Sequence, residues 1–368
     1  MNPLKCHNSF VITIVSIFHN RPDFIALQLK SIQKYVASEQ ISYIVANNAR
    51  ERVMRKEIRR ACQKLDIKCI PVRRELWLEL RIRLSYRETV FTKRNKYRNV
   101  NLACSYAFMY LWKKLLPDLE GQMVCFLDSD MFFMGEFNPT KVLLAEKNHR
   151  KSIAFVPIIR SSKVAKWDIY HPWNGLFLAN SSSISSLKSL VWYPGQVLGM
   201  KLDVGGQAHF WLRENLGTIN YSHFTSFSLY FLEAFGDKFK GRVTVNGSFL
   251  CEFLILDNES LDMEFTLAGS DAPYLPLDFS YLDKVFGEKK GLQYLQSGIL
   301  KLLEINRLFH GPNPKYFDLI GIFTQDKFNA MVFHYKSVSN YQQWSSEEYN
   351  HQKTQALRNY LSTKESIY

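Results

Sequence analysis

No two of the six cysteines sit at CxxC spacing: Cys6, Cys62, Cys69, Cys104, Cys125 and Cys251 are scattered through 368 residues. That scatter excludes a disulfide framework and a zinc knuckle, and it fits reduced thiols in a cytoplasmic protein. No run approaches the ~18 consecutive apolar residues of a membrane span. The N-terminal apolar stretch, Phe10 to Phe18, has nine residues and no small-residue cleavage site behind it, so no signal peptide is expected. Repeats and low-complexity linkers are missing too. A chain that is 46% hydrophobic and 14% aromatic is not intrinsically disordered.

Acid is in short supply. Against 47 Lys and Arg stand 34 Asp and Glu, a net charge of +13. Most of the excess lies between Arg50 and Arg98, where 17 basic residues face 6 acidic ones. Such a block attracts phosphates, whether of nucleic acid, anionic lipid or a phosphorylated small molecule. Any single arginine in it reads equally well as part of a solvated helix face or basic loop.

At roughly 150 residues per domain, the length suits two lobes or one large α/β unit. The run FVITIVSIF (10–18) reads as a buried strand. After Asn20-Arg21-Pro22-Asp23, residues Ile25, Leu29, Ile32 and Val36 fall at helical spacing. Strand 41–46, helix 54–65 and strand 67–72 follow, then an expected irregular segment over 73–98, a helix over 99–116 and a strand over 123–127. This alternation implies a mostly parallel, Rossmann-like sheet flanked by helices. Strands are expected over 153–159, 175–179 and 331–334, a short helix over 182–190 and a polar terminal helix over 345–361. Residues 220–300 show no clear pattern. The division expected is a ligand-binding half (1–150), an irregular α+β half completing the same sheet (151–340) and a C-terminal helix or tail (341–368).

The strongest chemical signal is Cys125-Phe-Leu-Asp128-Ser-Asp130-Met-Phe-Phe, an apolar strand running into two carboxylates one residue apart. Ligands of open α/β sheets sit at the carboxyl ends of strands. Two carboxylates there repel unless a cation lies between them, and hard oxygen ligands suit Mg²⁺ or Mn²⁺. Apolar residues on both sides disfavour a solvated turn.

Phosphatases with an Asp-x-Asp nucleophile carry it after the first strand, whereas this pair follows about four. In that placement the chain resembles the metal-dependent glycosyltransferases of the GT-A fold. SIFHNRPDFIALQLKSIQKY and ISYIVANNA look like the family's first strand, helix and second strand. Trp173-Asn174-Gly175-Leu-Phe-Leu-Ala-Asn180 is similar to the strand lining sugar and acceptor, and Leu308-Phe309-His310-Gly311-Pro-Asn-Pro-Lys315 to the late His…Gly…Lys segment. The resemblance implies a nucleotide-sugar donor, UDP-linked by default, and a glycan or lipid-linked acceptor. It also implies Mn²⁺ or Mg²⁺ on Asp128 and Asp130, with His310 completing the metal site and Lys315 reaching the diphosphate. His334, at the end of an apolar run, is the alternative metal histidine. It ranks below His310 because it lacks the Gly-Pro turn and the lysine spacing.

Asp130 is the first metal ligand expected; Asp128 binds the metal or holds ribose hydroxyls and the sugar. Arg94 and Arg98 are candidates for a bidentate phosphate fork. Ser16, His19 and Arg21 follow the first strand, and Asn47 with Asn48 the second, where they would cradle base and ribose; the asparagines read equally as a turn. Asp203, ahead of Gly205-Gly206, is a candidate to orient an acceptor hydroxyl or act as general base, or else a helix N-cap. Asp168 and Glu252 are weaker candidates. Trp173 and Trp211 read as sugar-stacking or as core. No nucleophile stands out, so a retaining or inverting outcome is not assigned.

Two other readings compete. A nucleic-acid-binding protein would use the basic block, but no RNP-like motif, helix-turn-helix or zinc knuckle supports one. A metal-dependent nuclease or nucleotidyltransferase would share the Asp pair, but the latter opens with a Gly-rich basic loop that His19-Asn-Arg-Pro-Asp23 is not. The basic block is expected to serve an enzyme, docking it peripherally on an anionic membrane or holding a lipid-diphosphate acceptor.

Overall fold

Strand β1 (Val11–Phe18) is buried on both faces, which is why its sequence is apolar but for Thr13 and Ser16. Ile12, Ile14 and Phe18 face one core layer, while Val15 and Ile17 face the other. Helix α1 (Asp23–Tyr35) follows, with Asp23 in its first turn and Lys34 in its last, both favourable to the helix dipole. Then come β2 (Gln40–Asn47), α2 (Arg52–Lys64), β3 (Lys68–Pro71), α3 (Leu76–Ser85), α4 (Val100–Leu115), β4 (Met123–Asp128), β5 (Met131–Phe133) and the short α5 (Pro139–Leu143). The computed structural model describes residues 11–38, 40–85, 100–115, 122–143, 152–161, 168–180, 185–197, 200–202, 204–215, 218–235, 238–245, 248–257, 262–267, 291–310, 317–324, 327–335 and 347–362.

The first sheet runs β10-β6-β7-β4-β1-β2-β3 once β6 (Ser152–Ser161), β7 (Asp168–Asn180) and β10 (Asn220–His223) are added. Pairings β1·β2, β2·β3, β1·β4 and β6·β10 are parallel; β4·β7 and β6·β7 are antiparallel. The sheet is therefore mostly parallel, as the strand–helix alternation implied. Between β7 and β10 lie a 3-10 turn (Ser185–Ser189), the hairpin β8 (Gly195–Val197) and β9 (Met200–Leu202), and α6 (Ala208–Glu214).

The later chain does not simply complete that sheet. Strands β11 (Thr225–Phe235), β12 (Lys238–Val245), β13 (Ser248–Asp257), β14 (Asp262–Leu267), β15 (Phe317–Thr324) and β16 (Lys327–His334) form a second, wholly antiparallel sheet, in the order β14-β13-β12-β11-β15-β16-β5. Two residues separate β11 from β12, and two separate β12 from β13. Connections that short allow antiparallel return and no parallel crossover. Helix α7 (Gly291–His310) lies against this sheet, and α8 (Glu347–Ser362) against α1 and α7.

A second difference concerns 73–98, where α3 occupies part of the segment expected to be irregular. Its sequence, LWLELRIRLS, alternates apolar and polar residues and so hides its helical spacing. Leu78 and Ile82, four apart, are buried in the core layer that α4 also enters, and packing of α3 on α4 decides the helix. Among the described residues no helix is long and apolar enough to cross a membrane.

Candidate functional site

Asp128 is the last residue of β4, and Asp130 stands one residue before β5. Because β4 belongs to the first sheet and β5 to the second, Asp128-Ser129-Asp130 is the hinge between them. The register places Asp128 opposite Ile17 of β1, and Phe18 opposite Asn47 of β2. Strands β1, β2 and β4 thus end together, at the point where the chain, having moved outward from β1 to β2 and β3, returns to β4 on the other side. Such a switch point opens a crevice for ligands.

Buried polar groups fix the hinge. The amide Nε2 of Gln28, on the inner face of α1, donates to the Asp128 carbonyl at 2.8 Å and to the Met131 carbonyl at 2.7 Å. Its Oε1 accepts from the Tyr43 hydroxyl at 2.5 Å. Three residues further along α1, on the same face, Ser31 Oγ accepts the Phe133 N–H at 3.1 Å. From the other side, the Tyr335 N–H donates to the Asp130 carbonyl at 2.8 Å. Gln28 and Ser31 are polar residues in an otherwise apolar helical stripe, a signal that sequence reading passed over.

Pairing of β16 with β5 brings His334 opposite Met131. Its Nε2 lies 3.4 Å from an Asp130 carboxylate oxygen, and its Nδ1 2.7 Å from Asp318 on β15. The Trp173 ring packs on the imidazole, centroids 5.2 Å apart. Trp173 can lie there because Gly175 follows: a Cβ at that position would sit 2.7 Å from both the Trp173 ring and Met131 Cε. Burial by itself would lower the His334 pKa, but the carboxylates of Asp130 and Asp318 outweigh it and raise it to about 9. Asp318, a carboxylate within the apolar strand FDLIGIFT, is a third residue that sequence reading missed.

Asp128, Asp130 and His334 present ligand atoms that all lie within 4.8 Å of one another. Two carboxylates and one imidazole form a donor set suited to a divalent ion of the Mn²⁺ or Mg²⁺ type, with the nitrogen favouring Mn²⁺. Asp318 on the far nitrogen fixes ring orientation, as carboxylates commonly do behind metal-bound histidines. The residues present therefore fit the cation that the Asp pair suggested.

The remaining candidates divide by what surrounds them. His19 Nδ1 accepts from Asn48 Nδ2 at 3.1 Å, and its Nε2 faces Cys104 Sγ at 3.6 Å. Burial holds its pKa down at about 4, so the ring is neutral. Asn47 uses both ends of its amide in the β2–α2 turn: Nδ2 donates to the Arg55 carbonyl at 2.9 Å and Oδ1 accepts the Ala49 N–H at 3.3 Å. Ser16 is fully buried within β1. Arg21, at φ 58°, pairs twice with Asp23, reaches Thr354 of α8 at 3.3 Å and lies 3.7 Å over the Phe24 ring. Those partners tie α8 to the β1 end. Asn174 is buried on β7, two residues past the point where Leu176 pairs with Leu127, on the side of the Asp pair. Trp211 is core.

Arg94, Arg98, Asp203 and Lys315 lie outside the described residues. Helix α6 starts at Ala208 with Gln207 at its cap position, four residues beyond Asp203. His310 ends α7, and its side chain is outside the described set, as are those of Asp168 and Glu252. Gly205, at φ +87°, approaches the Pro172 carbonyl so closely that a Cβ would sit 2.8 Å away.

No protein-family model and no curated protein matches the chain. Solved structures resemble it over 58% of its length. The WbbM bifunctional glycosyltransferase does so at 12% identity and TM-score 0.33, across 38% of its own chain. Mouse xyloside xylosyltransferase 1 does so at 12% identity and TM-score 0.33, across 84% of its chain. The galactosyltransferase LgtC, solved with donor and acceptor sugar analogues, does so at 14% identity and TM-score 0.33, across 73% of its chain. All three of these structures are glycosyltransferases.

Proposed function

We propose that this chain is a metal-dependent glycosyltransferase that moves a sugar from a nucleoside-diphosphate sugar, UDP-linked in the first instance, to a glycan or lipid-linked acceptor. The observation that carries the reading is the convergence of Asp128, Asp130 and His334 at the hinge between the two sheets. In this reading His334, and not His310, is the third metal ligand, because its Nε2 faces Asp130 and its Nδ1 is held by Asp318.

Breaking an anomeric C–O bond expels a nucleoside diphosphate, and the charge developing on it dominates the barrier. Mn²⁺ or Mg²⁺ held here would supply Lewis-acid stabilisation of that leaving group, worth several kcal/mol. The protein's own part is to keep the two carboxylates and the imidazole converged, through Gln28, Tyr335 and Asp318. His19 and Asn48, at the ends of β1 and β2, stand where a base and ribose would lie. Asn174 and Trp173 line the side of the Asp pair from β7. Lys315, Arg94 and Arg98 are assigned to the diphosphate and Asp203 to the acceptor hydroxyl. The scattered thiols and the absence of a spanning helix among the described residues suit a cytoplasmic, membrane-peripheral enzyme.

The test is a thermal-shift panel of nucleoside diphosphates and nucleotide sugars, with and without Mn²⁺, on wild type and Asp130→Asn. A ligand at about 100 times its Kd stabilises by about 2.7 kcal/mol. A Mn²⁺-dependent shift with one diphosphate, lost in the variant, is expected and names the donor base. The absence of any nucleotide shift would overturn the reading.

A further inference from the structure

The carboxyl rim of the first sheet carries a second feature that the proposed reaction does not use. Strands β2 and β3 are parallel, with Asn47 opposite Pro71, and the Val72 N–H continues the ladder onto the Asn47 carbonyl at 3.0 Å. The segments that leave them, 48–53 and 72–77, therefore emerge side by side. Both are cationic and both expose large apolar side chains. Arg50 and Arg52 precede Val53, which is 66% exposed; Arg73 and Arg74 lead into Leu76 and Trp77, which are 85% and 66% exposed.

The exposure follows from the alternating sequence of α3. A helix that buries Leu78 and Ile82 turns Leu76, Trp77 and Leu80 away from the core. The segment is also held in place. The Tyr106 hydroxyl on α4 donates to the Arg73 carbonyl at 2.8 Å and accepts the Glu75 N–H. Of the eight exposed large apolar residues described, Val53, Leu76 and Trp77 belong to this one rim, and Leu80 follows one turn further along α3.

We infer that this rim docks the protein on an anionic bilayer surface, with Leu76 and Trp77 entering the interface and Arg50, Arg52, Arg73 and Arg74 facing lipid phosphates. Charge complementarity selects the partner's sign, and the aliphatic residues select lipid. A polyanion such as RNA rewards arginine but has nothing to offer an exposed Leu76 or Val53, whereas the headgroup–acyl boundary takes leucine and tryptophan readily. Parallel β1 and β4 end at the same rim, so docking would hold the Asp128–Asp130 crevice close to the membrane, where a lipid-linked acceptor resides. Docking does not depend on the reaction proposed above.

The experiment is cosedimentation with vesicles of phosphatidylcholine alone and of phosphatidylcholine with phosphatidylglycerol, beside binding to polyuridylate. Wild type is expected on the anionic vesicles and not on the neutral ones. Arg73→Gln with Arg74→Gln should weaken that binding by about 30-fold, the equivalent of roughly 1 kcal/mol per basic residue at an anionic surface. Leu76→Ser with Trp77→Ser should weaken it at least about tenfold, on the same transfer scale, and leave the melting temperature unchanged because neither residue is in the core. Failure of wild type to bind vesicles, binding indifferent to the Leu76/Trp77 change, or a preference for polyuridylate overturns the inference. Asp130→Asn should still bind vesicles, and the Leu76/Trp77 variant should still show any nucleotide shift, which separates failure of docking from failure of the glycosyltransferase reading.

Discussion

Asp318 holds His334: a carboxylate oxygen of the one lies 2.7 Å from Nδ1 of the other, and this leaves Nε2 aimed at Asp130. Two neighbouring antiparallel strands carry the pair, with Asp318 directly opposite His334 in the ladder. Asp318→Asn keeps the shape and removes the charge that fixes the ring. Mn²⁺ affinity, measured by calorimetry, should fall about 10- to 100-fold. An unchanged affinity would mean that His334 does not ligate.

His334, held between Asp130 and Asp318, sets a pH dependence in the metal-free protein. His334 has a folded-state pKa of about 9 against an ordinary 6.5, so the stability it contributes is complete below about 6.5 and is lost as pH rises through 9. Urea melts of metal-free protein should show that decline, and His334→Asn should flatten it. Parallel curves for the two proteins would contradict a charged His334.

Gln28 bridges two buried carbonyls with one amide. Gln28→Leu fits the apolar stripe of α1 but leaves the Asp128 and Met131 carbonyls without that donor. Each unsatisfied group costs about 1–3 kcal/mol, so denaturant stability should drop measurably and Mn²⁺ binding should weaken with it. Loss of stability without loss of metal affinity would show that the hinge does not need Gln28 to hold its shape.

Lys353, on α8, is buried, with Nζ 2.5 Å from the Tyr335 carbonyl and 4.2 Å from the Tyr335 ring centroid. Tyr335 in turn holds the Asp130 carbonyl through its N–H and Thr354 through its hydroxyl, at 3.0 Å. Lys353→Met should cost about 1.5–3 kcal/mol, the range for a hydrogen bond to a charged group, and should weaken Mn²⁺ binding as well. If only the melt moved, α8 would brace the fold and not the site.

Gly175 permits the approach of Trp173 to Met131 and His334. Gly175→Ala should destabilise by about 1–3 kcal/mol, the usual cost of overpacking, and shift the His334 imidazole signals in NMR spectra. A neutral substitution would show that Trp173 can give way.

Much of the first half was legible because its signals are local. Apolar runs of β-branched residues gave β1 and β2, helical spacing gave α1, α2 and α4, and the apolar flanks of Asp128-Ser-Asp130 marked a strand end with chemistry on it. The segment 76–85 misled because its alternation of apolar and polar residues matches a strand period while Leu78 and Ile82 alone suffice to seat a helix. The segment 220–300 gave no reading, since antiparallel strands take their partners from the fold, as β11 does from β15 about ninety residues on, and leave them unstated in the sequence.

By itself the sequence determined the strand–helix alternation that builds a mostly parallel sheet and the presence of a paired carboxylate at the end of its fourth strand. Periodicity and burial are properties of short windows, so a single chain states them. Only the tertiary structure put His334 beside that pair. His334 lies about two hundred positions after Asp130, and nothing in either neighbourhood points to the other; the antiparallel pairing of β16 with β5 brings them together. Likewise the exposure of Leu76 and Trp77 is no property of their own sequence. It follows from the packing of α3 on α4, which buries Leu78 and Ile82.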